Sequence, residues 1–172
     1  MRFSGWLCLF IGLLIVVLDV FSKHWVHVSL PVMSSHFPVY PYGGIPVFKD
    51  FLGIEFSLTH ITNRGAAWGV LNGFQESLVG LRILLILAML GYTLFYHRSL
   101  DRQRLPLTLI LAGATGNVID YFVYGHVVDM FHFVLWGYSF PVFNVADSSV
   151  CVGIAWLIGL SLFQKTSAEE NC

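Results

Sequence analysis

Residues 116–147 read GNVIDYFVYGHVVDMFHFVLWGYSFPVFNVAD and begin inside one apolar segment and end inside the next. The stretch carries Asp120, Asp129 and Asp147 in a chain where 11% of residues are charged. Carboxylates near hydrocarbon are costly, so an acid in such a setting marks a functional site whose partner must be named. Asp129 and Asp147 are read as each other's partner.

Working outward, the whole chain has the composition of a membrane protein. Of its 172 residues 56% are hydrophobic, and the mean hydropathy is +0.74. Ordinary soluble domains are about 45–50% apolar. The net charge is −1 without a long run of either sign, so nothing suggests a nucleic-acid surface. Cys8, Cys151 and Cys172 have neither disulfide-framework nor zinc-site spacing. The length allows one membrane-embedded domain, residues 1–172.

Four stretches approach the roughly 20 residues that a helix needs to cross a bilayer core. They are about residues 5–28, 77–96, 105–122 and 145–163. The first follows Arg2 but lacks a cleavage pattern of small residues and continues past Asp19 and Lys23, so it reads as a retained span rather than a leader. Arg98, Arg102 and Arg104 crowd the short connection after the second span, whereas 29–76 and 123–144 hold only Lys49 and Arg64. The bias of basic residues predicts both termini in the cytoplasm and the two long segments outside. Asp19, Asp120 and Asp147 then fall toward one membrane face.

The first external loop predicts a small β-rich subdomain. Residues 31–46 read as irregular. Val47-Phe48 and Phe51-Leu52 around a Lys49-Asp50 turn read as a short hairpin. In 54–61, Ile54, Phe56 and Leu58 alternate with Glu55, Ser57 and Thr59, which predicts a strand with the apolar set buried. Asn63-Arg64-Gly65 is a turn, and Ala66–Leu71 an apolar segment at the interface.

Several constellations admit two readings. Asp19 and Lys23 share a helix face at i, i+4, either as an interfacial pair with a snorkelling lysine or as support for a nearby site. Gly113, Gly116, Asn117 and Asp120 line one face of the third span, where small and polar residues favour close helix packing. Asn144 reads as an N-cap with Asp147 three positions later at a helix start, which accounts for Asp147 without chemistry. Asp129 has no such account. Two carboxylates brought close share a proton, one acting as base and the other as acid. His126, Asp129 and His132 form the alternative of a metal-dependent hydrolase, although Val127-Val128 and the aromatics favour a strand, in which residues three apart face oppositely. A proton- or cation-coupled carrier through Asp19, Asp120 and Asp147 is the third possibility.

The blocks LDVFSKHW (18–25), NRGAAWG (63–69), GNVIDY (116–121), GHVVDMFHF (125–133) and FNVADSS (143–149) resemble the bacterial lipoprotein signal peptidases, the signal peptidase II family of membrane aspartic proteases. The resemblance implies Asp129 and Asp147 as the catalytic pair. It implies Asn63, Gly65, Asn117, Asp120, Asn144, Asp19 and Lys23 as residues that shape the site or bind substrate. Its substrates would be diacylglyceryl-modified prolipoproteins, cut just before the lipidated cysteine at the outer face of the bacterial inner membrane. No metal or organic cofactor and no partner beyond substrate and lipid is implied, and a monomer is expected. On this reading the first and third spans wall a groove for the signal helix. Tyr121 stands where the family carries arginine, removing a cation beside Asp120. Arg64 and Trp68 replace the commoner threonine and phenylalanine.

Overall fold

The structure is a computed structural model that describes residues 4–65, 72–95 and 102–169. Its elements are α1 (Gly5–Ser29), β1 (Ile45–Phe51), β2 (Ile54–Asn63), a 3-10 turn (Asn72–Phe74), α2 (Gln75–Phe95), α3 (Arg104–Tyr124), β3 (Val127–Leu135), β4 (Tyr138–Ser139) and α4 (Val145–Glu169). All four α-helices are long and apolar enough to cross a membrane. The first three agree with the expected spans to within two residues, and α4 starts as expected but runs on to Glu169. The 97–101 part of the basic connection and the 66–71 segment, including Trp68, lie outside the described residues.

Local chemistry sets the helix ends. Ser4 caps α1 by accepting the Leu7 backbone N–H at 3.2 Å. Gly125, at φ 73°, ends α3 in the left-handed conformation and donates its N–H to the Tyr121 carbonyl. Packing is densest between α3 and α4, and glycines permit it. A Cβ at Gly113 would strike the Ala146 carbonyl and lie 2.8 Å from Val150 Cγ2; one at Gly153 would lie 2.7 Å from the Pro106 carbonyl. Gly12 of α1 is held as closely against Thr108, 2.9 Å from where its Cβ would be. The bundle's outward faces are apolar, with Leu9, Phe10, Leu13, Leu84, Leu87 and Leu94 exposed. Its buried positions include Asp19, Lys23, Asn117 and Asp120. Such an inversion of the soluble pattern is what a hydrocarbon solvent asks for.

One antiparallel sheet in the order β1-β2-β3-β4 sits at the end of the bundle where α1 and α3 finish and α4 starts. It therefore draws on both inter-helix segments rather than on residues 29–76 alone. Its anchor is a small core of Val26, Val128 and Met130, closed by Leu30, Tyr124 and Phe131. This gives the sheet the packing partner that a few short strands need.

Three expectations require correction. The hairpin turns at Leu52-Gly53, both at positive φ, not at Lys49-Asp50, so β1 runs on to Phe51. In β2 the more buried set is Ser57 and Thr59, while Ile54, Phe56 and Leu58 are half-buried. Phe56 stacks on Phe133 at 4.3 Å between centroids, so the aromatic face covers itself and leaves the polar face to pack inward. Finally, α1 and α3 pack directly on each other. An apolar groove of about 340 Å³ opens between α2 and α3, lined by Ile83, Ile86, Leu87, Val118, Ile119 and Phe122 among others.

The glycine packing gives a test. A Cβ at Gly116 would strike the Asp19 carboxylate and come within 3.3 Å of Ala146 Cβ, whereas one at Gly80 would meet nothing within 4 Å. Gly116→Ala should cost about 1–3 kcal/mol, the range for forcing atoms into a packed core. Gly80→Ala should be neutral or stabilising. Unfolding of both variants in detergent measures the contrast.

Candidate active site

The site is built from three helices, α1, α3 and α4, and two strands, β2 and β3. Its foundation is Lys23 of α1, whose Nζ lies 2.7 Å from Asp19 Oδ2 and 2.9 Å from Asp120 Oδ2 and donates to Asn117 Oδ1 at 2.9 Å. Lys23 and Asp19 are 0% exposed and Asp120 is 1% exposed. The two-carboxylate cage excludes the snorkelling lysine. Asp120 also does not emerge into water, and the cation that Tyr121 fails to supply beside it comes from α1.

Each carboxylate of the cage also accepts a backbone N–H. Asp19 Oδ1 accepts the Ala146 N–H at 2.8 Å, in the first turn of α4. Asp120 Oδ2 accepts the Val128 N–H at 3.0 Å, at the start of β3. Thus the cage fixes the first turn of the helix that bears Asp147 and the strand that bears Asp129.

The two acids themselves are held by asparagines. Asn144 donates its side-chain amide to Asp129 Oδ1 at 2.7 Å, and its backbone N–H reaches Asp147 Oδ2 at 3.3 Å. Its Oδ1 accepts the Asp147 N–H at 2.8 Å, which completes a reciprocal capping box on α4. Asn117 donates to Asp147 Oδ1 at 2.8 Å while accepting from Lys23. Asn63, at the end of β2, donates to Asp129 Oδ2 at 3.0 Å, and its own Oδ1 accepts the Gly65 N–H at 2.9 Å. A register shift between Leu58 and Ile61, with one more residue on β2 than on β3, reverses the alternation along β2 just before Asn63. All nine residues singled out from the sequence are therefore joined in one network, with Gly65 bound through Asn63.

Asp129 is 2% exposed. Burial, followed by the negative charge of Asp147, pushes its carboxyl up to about 7. The amides of Asn63 and Asn144 favour the charged form and oppose that rise, but desolvation outweighs them. At neutral pH the site therefore has a carboxyl able to hold a proton beside a second carboxylate, the requirement for moving a proton each way.

The alternative constellations fare differently. His126, Asp129 and His132 do not converge. Asp129 faces the asparagines, whereas His132 contacts Ser139 Oγ at 2.8 Å and Tyr42, with ring centroids 4.8 Å apart. Strand alternation between positions 129 and 132 is the reason. Asp19 and Asp120 surround one ammonium instead of lining a path, which removes the support for a carrier. The sequence did not indicate Arg82, the one basic residue of α2, as a neighbour of the site. Its Nη2 lies 3.4 Å from the Gly65 carbonyl. The backbone bonds to Ala146 and Val128 also carry no sequence signature, since any residue offers an N–H.

Comparisons with known proteins agree in one direction. A family profile described as signal peptidase (SPase) II matches residues 11–163. A lipoprotein signal peptidase of Nostoc punctiforme is 39% identical over 96% of this chain and 93% of its own length. One from Clostridium acetobutylicum is 40% identical over 91% of this chain and 93% of its own. A solved structure described as a bacterial membrane enzyme, determined by the in meso method at 2.3 Å resolution, superposes with a TM-score of 0.78 at 26% identity. That superposition covers 97% of this chain and 93% of the other.

The cage makes its own prediction. Lys23→Met leaves Asp19 and Asp120 buried without their cation, and breaking a buried pair costs about 3–5 kcal/mol. The triple variant Asp19→Asn, Lys23→Met, Asp120→Asn removes the uncompensated charge and should recover part of that loss. Unfolding free energies in detergent for the single and triple variants decide it: equal losses would show that charge imbalance is not the cause.

Proposed function

The chain belongs to the signal peptidase II family, a multi-pass membrane protease, and from that premise we propose that Asp129 and Asp147 are its catalytic dyad. The observation that carries the reading is Asn144, a single residue that bonds both acids at once, 2.7 Å to Asp129 and 3.3 Å to Asp147. A structural acid needs one such fixing contact; two carboxylates bonded by one residue, Asp129 by its side-chain amide and Asp147 by its backbone N–H, are fixed relative to each other.

The substrate class is the diacylglyceryl-modified prolipoprotein, cut on the amino side of the lipidated cysteine. Asp147, the less buried acid, accepts a proton from water, and the water oxygen attacks the scissile carbonyl carbon. Asp129 gives its proton to the carbonyl oxygen, forming a neutral gem-diol. Asp147 then returns a proton to the amide nitrogen as the C–N bond breaks, and a gem-diol proton goes back to Asp129. The products are the free α-amine of the cysteine and the carboxyl end of the signal peptide, and the dyad is restored with its single proton. Any measured ionisations belong to the pair.

Asn63 and Asn144 orient Asp129, Asn117 orients Asp147, and the Lys23 cage with Asp19 and Asp120 supports them from below. The basic residues of the connection between α2 and α3 favour a topology with both termini cytoplasmic. The sheet and dyad then lie at the extracytoplasmic face of the bacterial inner membrane, where a signal helix presents its C-terminal end. The apolar groove between α2 and α3 is open enough for hydrocarbon from the substrate or the bilayer. The enzyme acts as a monomer with substrate and lipid as its partners.

Two measurements test this. Asp129→Asn and Asp147→Asn should each reduce cleavage of a lipid-modified prolipoprotein by about 10²–10⁴-fold, the usual worth of a positioned acid or base. Both should still insert into membranes, and normal turnover by either variant removes the dyad. Second, the proton on Asp129 is lost as pH rises through about 7, so kcat/KM should fall on that side. Asn63→Ala takes away a donor that favours the ionised form. The alkaline limb should therefore move to higher pH; a shift downward contradicts the assignment.

A further inference from the structure

Beside the dyad, and outside the network just described, three histidines from three elements meet. They are His27 near the end of α1, His60 in the irregular part of β2, and His126 between α3 and β3. One ring nitrogen from each lies within 4.8 Å of the others. The ring centroid of His27 is 5.4 Å from that of His60 and 6.1 Å from that of His126. His60 is placed there by the same extra residue in β2 that turns Asn63 toward Asp129, since it lies between the paired positions Leu58 and Ile61.

The hydrogen bonds of these rings are one-sided. His60 Nδ1 is 3.0 Å from the Leu30 carbonyl oxygen, an acceptor only, so Nδ1 carries the proton and Nε2 presents a lone pair. That Nε2 is buried and has no hydrogen-bond partner among the described residues. The His126 ring is hydrogen-bonded by the backbone of Tyr124, and its Nε2 is likewise buried without a partner. A buried polar atom left unpaired is costly and calls for an explanation. A ring held through one nitrogen by a carbonyl, with the other free, is the arrangement in which histidine ligates a metal.

We propose that His27, His60 and His126 form a binding site for a zinc-class divalent metal ion. Three imidazoles without thiolate or carboxylate suit zinc and its first-row neighbours over magnesium or calcium. Tetrahedral ligation with Zn–N bonds of about 2.0–2.1 Å places nitrogens about 3.3 Å apart, so the rings must close by an ångström or more. The exposed His27, at the margin of the cluster, can supply most of that movement by changing rotamer. Its exposure also leaves a fourth position for water. The ion takes no part in peptide cleavage. It ties the end of α1 to β2 and to the entry of β3, next to the Ile61–Asp129 pair, and so braces the strand that carries the proposed acid.

The experiment uses the full chain, purified without a histidine tag and treated with chelator, then titrated with Zn²⁺ in detergent. One equivalent should bind per chain and raise the unfolding temperature. Co²⁺ in its place should give the visible absorption of a tetrahedral nitrogen site. His27→Ala, a change at an exposed side chain that leaves the fold intact, should weaken Zn²⁺ binding at least tenfold and abolish the thermal shift. His36→Ala should change neither. Absence of stoichiometric binding, or binding that survives His27→Ala unchanged, overturns the proposal, and the two free Nε2 atoms are then hydrated. Loss of binding in His36→Ala overturns it equally, because that places the metal elsewhere.

Discussion

A lysine ammonium with no access to solvent holds this protein together. Lys23 can be charged there only because Asp19, Asp120 and Asn117 surround it, each within 3 Å. An isolated buried ion would cost many kcal/mol, and even a good pair recovers that cost only when its remaining hydrogen bonds are made. They are made here to the Ala146 and Val128 backbones. The apolar helices supply a place from which water is excluded, while the polar cage decides how the helices and the sheet meet. In an environment where lipid is as apolar as leucine, specificity must come from such contacts and from close packing at glycine.

The helices were legible because lipid imposes a length and a composition that local sequence cannot disguise. The capping box at Asn144 was legible too, since its two residues are three positions apart and its chemistry is local. What could not be read is the inward face of β2. Alternation marked Ile54, Phe56 and Leu58 as the core face, yet Ser57 and Thr59 are more buried. The pattern is reliable when one side of a sheet faces water; here the aromatic side stacks on its own neighbours, Phe56 on Phe133 and Phe133 over Phe143. The position of the hairpin turn is hidden for a related reason. Lys49-Asp50 looks polar enough to turn, whereas the backbone uses Gly53 at φ 80°.

Within the site, residue types were legible and partnerships only in part. The i, i+4 spacing of Asp19 and Lys23 correctly paired them, but nothing local brought Asp120 to the same ammonium. The absence of arginine at position 121 argued for an acid without a cation; the cation arrives from a helix almost a hundred residues earlier in sequence. Asp147 illustrates how one residue can satisfy two accounts. Its carboxylate closes the cap of α4 through the Asn144 N–H and also accepts the Asn117 amide. The helix start explains where the acid is, and the second bond binds it to the rest of the network.

The bond from the Ala146 N–H to Asp19 joins positions 127 apart in the chain, and only once it has formed is the helix start that bears Asp147 tied to the cage that holds the strand of Asp129. During synthesis, then, the first three helices enter the bilayer with a charged cage whose last acceptor waits for a donor still to be made. Contacts so distant form late. A chain interrupted before its fourth helix holds Asp129 but not its counterpart. On the proposed reading it cannot cut any of the signal sequences inserting around it. On that reading the acid pair comes into being only with the fourth helix.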